Sequence, residues 1–168
     1  GTYDKLQALA LASTLGIKLD NKTIELTADI DLTGKVWTPF GFSTTAPFGG
    51  TIDGKGHAIK GLSAAGYTPS ATIENATNKN SGPAYGFVCI AKDATIKNIR
   101  FVDVNIDIEN GLAVGAVVGD ARGSSLVIEN VTVNMATSKA WSTSAISTTN
   151  NGNTALSLVP STTIVTAS

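Results

Sequence analysis

The chain has little of what most functional classes need. Among 168 residues it has one Cys, one His and one Met, 15% are charged, and the formal net charge is −1. A near-neutral chain with no basic cluster lacks the surface that neutralises phosphates, which argues against nucleic acid and anionic membranes as partners. No run approaches the roughly 18 apolar residues of a membrane span, so no membrane insertion is expected. The lone Cys89 closes no internal disulfide, and its place in the apolar run Phe87-Val88-Cys89-Ile90 predicts a buried, inert thiol. No signal peptide precedes Thr2, but the chain starts at Gly1 without Met, so this does not locate the protein. Few charges and many Ser, Thr and Asn suit an extracellular surface. The length is that of one domain, able to bury roughly two thirds of its unfolded surface without disulfide or metal.

What is present is repetition. Ile59-Lys60-Gly61-Leu62, Ile96-Lys97-Asn98-Ile99 and Ile128-Glu129-Asn130-Val131 each set an apolar residue, a charged residue, Gly or Asn, and another apolar residue in one order. The last two are preceded by Gly-led apolar runs, Gly86 to Ile90 and Gly115 to Gly119. Intervals of 37 and 32 residues separate the three isoleucines, room for three short strands and their corners. Self-similarity on this scale marks stacked units, because one unit cannot bury its apolar face alone. The pattern predicts an all-β fold, a right-handed parallel β-helix, in one domain over 1–168.

Residues 3–15 are good helix formers, with Leu6, Leu9, Leu15, Ala10 and Ala12 as the apolar face and Gly16 as C-cap. A solenoid's first sheet edge invites pairing with another chain, and this helix is the natural cap. Rungs are expected over 22–134, starting where Ile24, Leu26, Ile30 and Leu32 alternate with polar residues. Residues 63–84 read as a loop excursion, with a hairpin around Ile73. Strict alternation is expected from Val102 to Ile108. Residues 137–168 turn Ser/Thr/Asn-rich and read as a terminal rung or a boundary.

The order of these motifs resembles a known family. The helix with Leu-Gln-Ala-Leu-Ala, then Leu26 to Thr33, Trp37-Thr38-Pro39-Phe40-Gly41, Phe48 to Leu62 and the Gly-led repeats are similar to bacterial GLUG-motif cell-surface proteins of the gut Bacteroidetes type. The likeness covers residues 5 to about 134. Val88-Cys89 and Val117-Val118 depart from the usual Leu-Phe-Gly wording but keep apolar or small side chains. The resemblance implies a secreted, right-handed parallel β-helix with an adhesin-like or glycan-associated role, and no catalytic residues to carry over.

Each candidate for chemistry has a structural counterpart. Asp53-Gly54-Lys55-Gly56-His57 gathers a carboxylate, an amine and the one His, as general acid/base catalysis would need, but it reads better as a glycine turn. Asp103, Asn105, Asp107 and Glu109 on one strand face could offer oxygens to calcium. A shift of 32 brings Met135 beside Asp103 and Lys139 beside Asp107, which supplies no second acidic row, so a solvated face is expected. Asn98 and Asn130, with Gly61 one repeat earlier, predict a corner ladder of stacked amides. The sequons at Asn21, Asn75 and Asn130 are read as incidental. Trp37 should be packed. Trp141 and Tyr67 lie in off-pattern segments, where exposed rings can stack on sugars, and are the ligand-binding candidates.

The sequence therefore predicts a noncatalytic secreted or cell-surface module, adhesin-like, that binds glycan or extracellular matrix protein and needs no cofactor or metal. One rival is a polysaccharide lyase or hydrolase on a β-helix, which has only Arg100 and Arg122 to offer as arginines. The other is a structural stalk or spacer without ligand.

Overall fold

Short β-branched runs separated by corners pair with their own repeats. The computed structural model describes residues 2–67, 72–74, 81–106, 108, 113–135 and 163–167. It is mostly strands in parallel sheets, with one helix. Helix α1 (Tyr3–Thr14) leads into β1 (Thr23–Glu25), β2 (Ile30–Asp31), β3 (Thr51–Asp53) and β4 (Ala58–Lys60). Then come β5 (Thr72–Glu74), β6 (Ser81–Tyr85), β7 (Val88–Lys92), β8 (Thr95–Val104), β9 (Ala113–Val114), β10 (Val118–Arg122), β11 (Val127–Met135) and β12 (Thr163–Ala167).

The main sheet pairs β1, β3, β8 and β11 in parallel, with Ile24, Ile52, Ile96 and Ile128 in one register row. A second row in the same sheet runs through Ile30, Ile59, Phe101 and Val133. On another side, β7 and β10 pair in parallel, and Phe40 and Phe48 of the first pass bridge to Val88 and Ala91. Successive passes of the chain therefore lie on one another. The antiparallel pairs are β5 with β6, around Ile73 as expected, and β11 with β12.

This register corrects the repeat. Ile59 pairs with Phe101, and the residue one pass before Ile96 is Ile52. Asn98 (φ 55°) and Asn130 (φ 50°) take left-handed backbone at one corner, whereas Gly61 (φ 72°) and Asp103 (φ 54°) do so at a second. Both corners need an apolar residue, a strand residue and then a left-handed one, so the same phrase is written at two places. The expected alternation holds over Val102 to Ile106, with Val104 and Ile106 buried and Asp103 and Asn105 exposed, while the bend at Asp103 lets Phe101 before it be buried as well. Opposite this bend, Met135 pairs with Val104 rather than Asp103.

Between the sheets lies an aromatic core. Trp37 stacks on Phe87 at 5.0 Å, Phe40 meets Phe48 at 5.1 Å, and Phe87 meets Phe101 edge-on at 5.2 Å. Trp37 is fully buried, and its indole N–H donates to the Phe87 carbonyl at 3.1 Å, so its one polar atom is satisfied.

Helix α1 covers the first pass. The Thr2 hydroxyl caps it by accepting from the Lys5 N–H, and Gly16 takes φ 104° just past its end. The Gln7 amide donates to the Thr38 carbonyl and accepts from the Thr38 N–H, both at 2.8 Å, copying the bonds of a neighbouring strand on an edge that would otherwise be open. Its buried face is Leu6, Ala10 and Ser13. Leu9 (38% exposed) and Leu15 (83%), expected on the apolar face, lie outside the buried one, because turning Gln7 onto Thr38 fixes the helix rotation. Among the described residues no helix is long and apolar enough to cross a membrane.

Candidate functional site

The glycine turn from Asp53 to His57 bonds to its neighbouring passes. His57 Nδ1 lies 3.1 Å from Asp29 Oδ1, which also accepts from the Ala58 N–H at 2.9 Å. The Ala58 N–H first, and then His57, hold the Asp29 carboxyl below its ordinary value. Asp53 is 5% exposed and accepts at one oxygen from the Lys55 N–H (2.9 Å) and the Asn98 amide (3.0 Å). Burial pushes its pKa up, but the bonds from Asn98 and Lys55 outweigh this and hold it below the ordinary carboxylate value. Lys55 reaches Glu25 on the first pass at 2.8 Å and Asp53 at 3.3 Å, and these contacts raise its pKa. Asn130 donates to Asn98 at 2.8 Å.

These contacts form a ladder from Glu25 through Lys55, Asp53 and Asn98 to Asn130. The expected Asn98–Asn130 step is present. Asp53, not Gly61, is its earlier member, because the true partner of Lys97 is Asp53. Gly54 permits the close approach: a Cβ there would collide with the Asn98 carbonyl.

Two members of the acidic stripe, Asp103 and Asn105, lie among the described residues, and both are exposed. Asp103 sits at a left-handed bend, the Asn105 backbone bridges to Ser63, and Asp107 and Glu109 lie outside the described residues. Among the described residues no group of three or more His, Cys, Asp or Glu side chains is placed to hold a metal.

Cys89 is fully buried, and desolvation pushes its thiol up to about 12. It is a core residue, as the sequence suggested. Tyr67 is half-buried. Its ring packs edge-on against Tyr85 at 4.7 Å, and its hydroxyl donates to the Ala84 carbonyl at 3.3 Å. Burial raises the pKa of both tyrosines. The remaining candidate, Trp141, lies outside the described residues.

A cleft of about 520 Å³ opens where three connections meet. One wall is the link from α1 to β1 (Gly16 to Asn21), the second is the Thr45 to Gly49 loop, and the third is the corner Lys92-Asp93 at the end of β7. The link exists because Gly16 ends the helix with positive φ and Asn21, at φ 60°, turns the chain into β1. Gly49 lets the Asp20 carboxylate lie close to the loop, since a Cβ there would push that side chain aside and press on the Lys92 carbonyl at 3.1 Å. Asp93 has one oxygen committed, accepting from the Ser124 and Ser125 N–H groups at 2.8 and 3.0 Å. Among the described residues, the side chains of Lys18, Asp20 and Lys92 make no hydrogen bond or ion pair. Sequence reasoning passed over all three. Asp20, Gly49 and Lys92 stand tens of residues apart with no common motif, so only the stacking of passes unites them.

No protein-family model, no curated protein and no solved structure matches the chain.

Proposed function

We propose that the chain is a noncatalytic, adhesin-like module of a secreted or cell-surface protein, built as a right-handed parallel β-helix whose loops bind glycan or matrix protein. The helical reading is supported by the in-register rows Ile24-Ile52-Ile96-Ile128 and Ile30-Ile59-Phe101-Val133, repeated on successive passes. Parallel strands joined by crossovers are right-handed in nearly all proteins, which gives the hand. The surface-module reading rests on the motif order shared with GLUG-type proteins.

The observation that carries the noncatalytic reading is the use made of Asp53, Lys55 and His57. Each is bonded to a side chain of a neighbouring strand or turn, in contacts that fasten one pass to the next. A general base must be free to take a proton from substrate, whereas Asp53 is buried in its bonds and Lys55 is held protonated by Glu25 and Asp53; His57, bonded through Nδ1 to Asp29, is the group left for the product assay to test. These residues already serve the fold.

The test is an array of glycans and matrix proteins probed with the purified domain, paired with an assay for release of reducing ends or unsaturated sugars from the polysaccharides it binds. Selective binding without release is expected. Release of product would overturn the noncatalytic reading in favour of a lyase or hydrolase, and silence across the array would favour a stalk. Tyr67→Ala and Trp141→Ala report on the two aromatic candidates: Tyr67→Ala is expected to lower stability through its lost packing on Tyr85.

A further inference from the structure

We propose that the cleft between the α1–β1 link, the Thr45–Gly49 loop and the Lys92-Asp93 corner binds a short, uncharged saccharide; this rests on the glycan-binding branch of the function proposed above. Four observations support it. The cleft volume of about 520 Å³ falls within the roughly 300–1,000 Å³ of small-molecule sites. Its charged lining is balanced, Lys18 and Lys92 against Asp20 and Asp93, so an anion would meet two carboxylates and a cation two ammonium groups. A polyol meets neither penalty. Its hydroxyls donate to carboxylate oxygens and accept from ammonium groups at once, so one sugar can use both signs of charge.

The third observation is that the side chains of Lys18, Asp20 and Lys92 have no protein partner among the described residues, although opposite charges line the same hollow. A ligand in the hollow completes their bonding. The fourth is apolar. Ile17, 59% exposed, lines the cleft together with Pro47 and offers a surface for the C–H face of a sugar ring.

The experiment is titration calorimetry of the whole chain with a probe panel: neutral tetrasaccharides of glucose, xylose, mannose and galactose, an oligogalacturonate and a chitosan oligomer. One or more neutral probes should bind in preference to both charged ones. Asp20→Asn and Lys92→Met should each weaken that binding at least about tenfold, the effect of losing one charge-assisted hydrogen bond. Gly49→Ala, which displaces the Asp20 carboxylate without altering charge, should do the same. Unchanged thermal midpoints in Asp20→Asn and Lys92→Met would show that the fold is intact. If a neutral sugar binds equally well to all three variants, the cleft is wrong and the glycan reading survives. Preference for the acidic or cationic probe overturns the uncharged ligand. If no sugar binds the unaltered chain, the cleft and the glycan branch fail together, leaving matrix-protein binding to the array.

Discussion

The corner through Asp53 and the cleft beside Asp20 use the same side-chain types for different purposes. At the corner, Glu25, Lys55, Asp53, Asn98 and Asn130 bond to one another across successive passes. In the cleft, the side chains of Lys18, Asp20 and Lys92 bond to nothing among the described residues. A chain with only 15% charged residues places one set in bonds that hold the stack and leaves another facing a hollow. The difference separates groups that specify the fold from groups available to a ligand. Residue identity alone does not make that distinction, since both regions contain Asp and Lys.

The comparison breaks most forcefully from beneath the corner. Ile96 is fully buried in the row Ile24-Ile52-Ile96-Ile128, so Ile96→Ala removes contacts to the passes on either side. A loss of about 2–5 kcal/mol is expected from the lost transfer free energy and the cavity left behind, read by urea denaturation. A loss below about 1 kcal/mol would mean that the polar ladder, rather than the apolar row, carries the stack.

Asp53→Ala comes next. It strands the Asn98 amide and the Lys55 N–H and removes a partner of the Lys55 ammonium, so about 1–3 kcal/mol should be lost. The same carboxylate gives a pH signature. Its folded pKa is depressed, so its stabilisation is complete above the ordinary value of 3.8 and is lost as pH falls through the lower folded-state value. Asp29 and Asp31 titrate in the same direction. Asp53→Asn should therefore give a shallower, still present, acid limb in a plot of stability against pH. An unchanged limb would show that Asp53 contributes nothing to acid unfolding.

At the exposed end of the ladder, Asn130→Ala deletes one amide bond to Asn98 and puts Ala where φ is 50°. About 1 kcal/mol for the bond, plus roughly 1 for the left-handed backbone, is expected. Asn130→Gly separates the two, because glycine relieves the backbone cost while the bond is still lost. Equal losses in the two variants would show that backbone strain plays no part.

The Asn98–Asn130 step of the ladder was legible in the sequence and the cleft was not, for a physical reason. Asn98 and Asn130 are marked by local chemistry: each must adopt left-handed backbone, which Asn tolerates, so the repeat exposes them. The capping helix was legible from propensity and from Gly16, and Trp37 from its place in the Trp-x-Pro wording. Register was harder. Two corners have the same local requirement, so Ile59-Lys60-Gly61 imitates Ile96-Lys97-Asn98 although it stacks on Phe101-Val102-Asp103. Tyr67 looked like a free aromatic because its neighbours are small and polar, yet the ring of Tyr85, on another strand, half-covers it. The cleft depends entirely on which passes adjoin, and its residues satisfy no local requirement that a sequence pattern could display.

The smallest expected stability effects sharpen the comparison most. Asp20 is exposed and its side chain is unpaired among the described residues, so Asp20→Asn should change unfolding free energy by less than about 0.5 kcal/mol, as surface substitutions away from structural bonds do. Lys92→Met should behave alike. Placed beside Asp53→Asn, the same chemical change is made twice in one protein, once where the carboxylate holds neighbouring passes together and once where it faces the cleft. Destabilisation at position 53 with none at position 20 would establish that the fold does not need the cleft carboxylate. Equal destabilisation at both would show that Asp20 supports the turn into β1, leaving its exposure no explanation in ligand binding.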